Sequence, residues 1–169
     1  MSWFDLAALV VVALAVFDGA KNGLLWAALE TALLVATAAA TRTLPSRVEP
    51  YVRKVADFSP DDLSGASHVV VFATTAAVLS GVLILLKPAT RRRRFKRDGY
   101  VGGALGAVNG VAAALLVFAI VIWPARPSGA EESLAESRLL PTLQAAHDHG
   151  FAWLFPEYVP SRLAELRRP

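Results

Sequence analysis

The most unusual ionisable residue in this sequence is Glu30, because it interrupts an otherwise uncharged run over residues 24–40. A carboxyl group inside an apolar helix can relay protons or bind a cation, so it is a functional candidate by default. Two structural alternatives stay open: a neutral acid that joins helices by a hydrogen bond, or a helix that begins later and leaves Glu30 near its end. The polar partners available in the other apolar runs are Thr74, Thr75, Ser80 and Asn109.

Two further stretches resemble chemical sites, and both favour a structural interpretation. The segment "HDHG" over residues 147–150 pairs two histidines, but no additional metal ligands are near in sequence. It is typical of a short helix that begins at Pro141 and ends at Gly150, beside a membrane-surface segment at 151–155. The segment "GALGAVNG" resembles a dinucleotide loop, yet no strand precedes it. We therefore predict neither metal nor cofactor, and the lack of catalytic motifs predicts a protein that is not an enzyme.

The composition indicates which elements must position these residues. Hydrophobic residues make up 55% of the 169-residue chain and charged residues 18%, against about 25% charged in a typical soluble domain. The sequence has no Cys, which excludes disulfides, thiolate metal sites and thiol catalysis. The charges are clustered, so long stretches carry none.

Four apolar runs are long enough to cross a bilayer. A helix needs roughly 20 mostly apolar residues for this. The runs cover residues 3–17, 24–40, 69–86 and 100–123, and a tight turn is predicted over residues 18–23 between the first two. Tyr100 and Trp123 bracket the last run as interfacial aromatic residues do. The first run lacks a basic start and a cleavage site, so we expect it to be retained rather than removed as a signal peptide.

The sequence predicts an all-α polytopic membrane protein with a four-span membrane domain over residues 1–123. Short interfacial helices are expected in the middle loop, at "YVRKVADF", and in an extramembrane tail over residues 124–169. The alternative is a soluble helical bundle, but such helices carry a charged stripe. The runs 69–86 and 100–123 have none.

A basic loop between the third and fourth runs predicts the orientation. Seven cationic residues fall between Lys87 and Arg97, and basic residues in short loops favour the cytoplasm. We therefore predict both termini outside the cytoplasm. Because the loop is tethered between two spans, we expect it to contact anionic lipid headgroups rather than nucleic acid. The lipid-facing residues expected here are Arg91, Arg92, Arg93, Arg94, Lys96 and Arg97.

Small residues recur every four positions in two of the runs. Helices in lipid associate through close packing, which small residues permit. The sequence therefore predicts a helix contact, within the chain or between copies, in which these two sets form the two halves. The sets are Gly102, Gly106 and Gly110 in the last run, and Ala28, Ala32 and Ala36 in the second.

The order of four motifs resembles the colicin V production protein family of small bacterial inner-membrane proteins. The motifs are "WFDL" at 3–6, "GAKNGL" at 19–24, "DGYVGGALGAVNG" at 98–110 and "SRLLPTL" at 137–143. The sequence departs from the family pattern at Trp26-Ala27, where Arg-Glu is common, and at Asn109, where a basic residue is common. The resemblance implies a four-span protein linked to toxin production or export and to envelope maintenance. Its expected partners are copies of itself or other export and envelope membrane proteins. The rival interpretation is a small oligomeric transporter or pore that uses Glu30 and Asn109.

Overall fold

The computed structural model describes residues 2–55, 59–91, 98–121, 136–146 and 148–149, and these residues form helices and no strand. Among the described residues, four helices are long and apolar enough to cross a membrane, and the predicted all-α class is confirmed. The helices are α1 (Trp3–Asn22), α2 (Leu24–Thr43), α3 (Pro45–Val55), α4 (Pro60–Arg91), α5 (Asp98–Val121) and α6 (Leu139–Ala146).

A single glycine separates α1 from α2, so the predicted turn at 18–23 is shorter than the sequence suggested. α1 continues through Asp18 to Asn22, and Asn22 Nδ2 donates to Asp18 Oδ1 across one helical turn at 2.6 Å. Gly23 then takes φ +92° and ψ 179°, a conformation that is accessible essentially to glycine alone. Its N–H donates to the Gly19 carbonyl and ends the helix. Asp18 is therefore placed on a helix face and not in a loop.

The middle connection contains the short helix α3 and the start of α4. α3 follows α2 after Leu44 alone and begins at Pro45, upstream of the predicted "YVRKVADF". Its residues Tyr51, Arg53 and Lys54 are exposed. Ser59 caps α4, where its Oγ accepts from the Asp62 N–H at 3.2 Å. A proline is compatible with the first turn of α4, because the backbone N–H that proline lacks would have no partner within the helix at this position.

The four long helices do not form a closed bundle. α5 lies antiparallel along α1 and also packs on α2, while α4 packs on α2 and makes few contacts with α5. A small core joins α2 to α5 through Ala38, Leu116 and Ile120, and Phe72 of α4 packs against it. The gap between α4 and α5 leaves a cleft. The polar residues of the spans are distributed around this cleft and at the two ends of the helices.

Candidate functional site: a polar cluster beside an intramembrane cleft

Asp18 organises a polar cluster where α1, α2 and α4 meet. Its carboxylate accepts from Asn22 Nδ2 at 2.6 Å and from the Trp26 indole N–H at 2.5 Å. Lys87 Nζ, from the end of α4, lies 3.9 Å from Asp18 Oδ1 and 5.0 Å from the centre of the Trp26 ring. Three helices therefore converge on one carboxylate, at the end of the spans that the charge pattern assigns to the cytoplasm.

Glu30 lies on the helix face that carries Trp26. It follows Trp26 by four residues, so both side chains project from one face of α2. Its side chain is half-buried and lines a cleft between the helices. Glu30 stands six positions after Leu24, the first residue of α2, which places it about 9 Å along the helix. The acid predicted from the sequence therefore lies inside the span, one helical turn from the Trp26 side chain that hydrogen-bonds to Asp18.

Asn109 has a different environment from Glu30, although both side chains line the cleft. Asn109 is 4% exposed, and both the nitrogen and the oxygen of its amide form hydrogen bonds. Its Nδ2 donates to the Ala27 carbonyl at 2.8 Å, and its Oδ1 accepts from the Thr31 hydroxyl at 2.8 Å. An amide that bonds α5 to α2 in this way stabilises helix association in lipid. Asn109 thus joins two helices and also supplies a polar atom to the cleft wall.

The cleft has a volume of about 250 Å³. Its wall is mostly aliphatic and comes from α1, α2, α4 and α5. Glu30 is the ionisable group among its lining residues, and Thr37, Ser80 and Asn109 contribute further polar atoms. Thr37 donates its hydroxyl to the Leu33 carbonyl, so that group is satisfied within its own helix. Apolar walls with few polar groups are usual for small-ligand sites.

The glycine face of α5 is buried against α1. A Cβ atom added at Gly102 would meet the Gly19 carbonyl oxygen, and one at Gly106 would meet the Ala15 carbonyl oxygen. A Cβ atom at Gly110 would lie 2.7 Å from Val12 Cα. The two backbones are therefore in direct contact, and only hydrogen fits between them.

The alanine set of α2 occupies a different surface from the one expected. Ala28, Ala32 and Ala36 are exposed and face away from the other helices, while Ala27 and Ala38 are buried. The small residues that meet the glycines are Ala15 and Gly19 of α1, which also stand four apart. The four-residue spacing of Ala15 and Gly19 was the sequence signal available for this contact. The alanines of α2 have the same spacing, so spacing alone did not distinguish the two helices.

A second polar site ties the tail to the first helix, and sequence reasoning missed it. Asp5 is buried and accepts three hydrogen bonds, from the Ser2 N–H, the Ser137 hydroxyl and the Arg138 N–H, at 3.1, 2.8 and 3.0 Å. Ser137 also caps α6, because its Oγ accepts from the Leu139 N–H at 3.2 Å. Leu143 of α6 is fully buried. Thus "WFDL" and "SRLLPTL", far apart in sequence, form one contact.

The remaining predicted residues lie at the edges of the described chain. Arg91 is the last described residue of α4, and Arg92, Arg93, Arg94, Lys96 and Arg97 lie outside the described residues, as do His147, Gly150 and 151–155. Asp148 and His149 are exposed. Within the described ranges, no group of three His, Cys, Asp or Glu side chains is arranged to hold a metal ion.

Comparison with known proteins identifies the family. No curated protein and no solved structure matches the chain significantly. A family model described as colicin V production protein matches residues 4–148, a range that contains α2, α4 and α5, all of α1 except Trp3, and both Asp5 and Ser137. The match covers most of the chain, and the chain belongs to the colicin V production protein family.

Proposed function

We propose that the protein supports the production or secretion of a colicin-type toxin, or the maintenance of the cell envelope, by packing against other membrane proteins. The role is that of a scaffold and involves no enzymatic conversion. The family match over residues 4–148 is the observation that carries the proposal.

The proposed location is the bacterial inner membrane, with both termini outside the cytoplasm. Asp18 and Lys87 then lie at the cytoplasmic end, and the basic loop after α4 contacts anionic lipid headgroups. Reporter fusions at Arg94 and at Pro169 test this topology. We expect cytoplasmic activity from the first and external activity from the second. External activity at Arg94 with cytoplasmic activity at Pro169 would contradict the orientation. Activity of both fusions on the same side of the membrane would contradict the number of spans between them.

The functional test compares a strain that lacks the protein with strains that express tagged variants. We expect deletion to reduce toxin release or envelope integrity, and wild-type protein to restore it while co-purifying with export or envelope proteins. Gly106→Leu separates α1 from α5 and should abolish both effects. The matched control is Gly81→Leu, because Gly81 has open space around it. The proposal fails if deletion changes neither phenotype and the protein purifies alone.

A second candidate is a small oligomeric transporter or pore. The cleft of about 250 Å³ favours it, because Glu30 and Asn109 both line that cleft. Ion flux in liposomes that contain only the purified protein would support transport. We expect Glu30→Gln to remove such flux, and Glu49→Gln, which changes a carboxyl group of α3, to leave it unchanged. Restored phenotype without flux favours the scaffold.

A further inference from the structure

The alignment of α4 with α2 shows which side chains of the cleft lie at the same depth in the membrane. Phe72 packs against the core that includes Ala38, and Lys87 Nζ lies 5.0 Å from the centre of the Trp26 ring. Residue numbers therefore rise along α4 as they fall along α2, so the two helices are antiparallel. Ser80 is halfway between Phe72 and Lys87, and it lies about level with the middle of the stretch of α2 between Trp26 and Ala38.

Three polar side chains of the cleft therefore lie at one depth. Glu30 is within one helical turn of the level of Ser80 along the axis of α2. Asn109 lies at the same level, because its Oδ1 accepts from the hydroxyl of Thr31, the residue after Glu30, at 2.8 Å. All three side chains line the cleft. We call Glu30, Ser80 and Asn109 the polar end of the cleft.

The rest of the wall along α2 is aliphatic. Leu33 and Leu34 line the cleft beyond Glu30, and Thr37, which also lines it, stands about 10 Å further along the helix than Glu30. Thr37 donates its hydroxyl to the Leu33 carbonyl, so it brings no unused donor to the cleft. Phe72, Ala76 and Leu79 cover the opposite side from α4. The cleft thus joins a polar end to an apolar channel.

The hydrogen-bonding capacity that remains at the polar end is mainly that of acceptors. A carboxylate can only accept, and an amide oxygen has two lone pairs, of which that of Asn109 uses one for Thr31. Asn109 Nδ2 already donates to the Ala27 carbonyl at 2.8 Å. The hydroxyl of Ser80 can accept as well as donate. A ligand at this end must therefore supply donors.

We propose that the cleft binds a small primary ammonium compound, with its ammonium group at the polar end and its apolar body along the aliphatic wall. An ammonium group has three N–H donors, which match acceptors on three side chains. Its positive charge also accompanies the carboxylate of Glu30, and ionisable groups inside a span need such a partner. Lys87 pairs with Asp18 at 3.9 Å, so that ammonium group balances a different carboxylate.

The size and the lining of the cleft restrict the ligand further. Its volume of about 250 Å³ is below the range of about 300–1,000 Å³ that is usual for drug-sized ligands, so the compound is small. Ca²⁺ or Mg²⁺ fits less well, because each takes six or more oxygen ligands and the wall is mostly aliphatic. An anionic ligand would meet the charge of Glu30, and an uncharged apolar one would leave that charge unbalanced.

Equilibrium dialysis of the full chain in lipid nanodiscs tests the proposal with three probes: n-hexylammonium, hexan-1-ol and hexanoate. The probes share one chain and differ in the head group, and empty nanodiscs correct for uptake into lipid. We expect saturable binding of n-hexylammonium. The affinity for hexan-1-ol should be lower by roughly tenfold or more, because a hydrogen bond to a charged group is lost, and hexanoate should show no saturable binding.

Two substitutions with matched controls locate the bound ammonium compound. Glu30→Gln should weaken n-hexylammonium binding by roughly tenfold or more, whereas Glu49→Gln, which changes a carboxyl group of α3, should leave it unchanged. Ala76→Leu fills the apolar channel and should also weaken binding. Its control is Ala77→Leu, because Ala77 is exposed on α4 and does not line the cleft.

Three results would overturn the inference. The first is an absence of saturable n-hexylammonium binding. The second is equal affinity for hexan-1-ol, which would identify a site for apolar molecules such as lipid chains. The third is unchanged binding in a folded Glu30→Gln or Ala76→Leu variant, which would place the ligand elsewhere. The comparison of probes uses wild-type protein, so a variant that fails to fold leaves the test intact. Dialysis measures neither co-purification nor flux, so this inference fails independently of the scaffold and of the transporter.

Discussion

Gly106→Ala probes the contact between α1 and α5 with the smallest possible change. The added Cβ atom would meet the Ala15 carbonyl oxygen and lie 3.0 Å from the Ala15 carbonyl carbon and 3.3 Å from Val16 Cα. These atoms belong to the backbone of another helix, so they cannot rotate away as a side chain does. The two helices must separate, and overpacking of this kind costs about 1–3 kcal/mol. The higher helix propensity of alanine returns up to about 1 kcal/mol, so we expect a net loss of stability.

Gly81→Ala is the matched control, because Gly81 lies in α4 with no atom within 4 Å of the added Cβ position. It gains the same helix propensity without the clash, so we expect it to be neutral or more stable than wild type by up to about 1 kcal/mol. Denaturant titration of both variants in mixed micelles, followed by tryptophan fluorescence, measures the difference. If Gly106→Ala is as stable as Gly81→Ala, the two backbones do not touch and the helix arrangement described here is wrong.

Three further changes test the polar contacts and the turn. Asp5→Asn halves the acceptor capacity for three donors, so we expect a loss of stability of about 1–3 kcal/mol and faster proteolysis at α6. Equal protection of α6 would show that Asp5 does not hold it. Asn109→Leu should cost about 1 kcal/mol, and a double-mutant cycle with Thr31→Val should show coupling between them; additive effects would exclude a shared hydrogen bond. Gly23→Ala should cost about 1–3 kcal/mol in thermal unfolding because of its φ of +92°, and an unchanged midpoint would mean that the turn tolerates a side chain.

The membrane spans were predictable from sequence, whereas the pairs of helices that pack against each other were not. Length and lack of charge are properties of each run alone, and the bilayer imposes both. Which helices pack together depends on how well two helix surfaces fit each other. In lipid the hydrophobic effect does not favour one apolar helix surface over another. The alanine period of α2 therefore matched the glycine period of α5 as well as Ala15 and Gly19 did. Only the structure shows that α1 covers the glycines.

The position of Glu30 inside a span was also readable from sequence, whereas the polar cluster around Asp18 was not. A turn predicted at 18–23 placed Asp18 outside the helices, and the candidate partners came from the later spans. The structure extends α1 to Asn22, because glycine at position 23 can take the backbone conformation that ends the helix there. That extension places Asp18 on a helix face where it accepts a hydrogen bond from the Trp26 indole N–H. The last turn of α1 thus decides whether Asp18 lies in a loop or joins α1 to α2.

The two polar sites stabilise opposite ends of the membrane domain in different ways, and the difference assigns their roles. Asp5 accepts three hydrogen bonds from neighbouring donors, all of which lie within its own helix start or the start of α6. A carboxylate with its donors supplied is a structural element, and it needs no ligand. The carboxylate of Asp18 instead accepts from Asn22 and Trp26 and pairs with Lys87, and among the described residues Asn22 Oδ1 has no hydrogen-bond partner. Asp5 therefore joins α1 to α6, whereas Asp18 joins the end of α1 to α2 and α4.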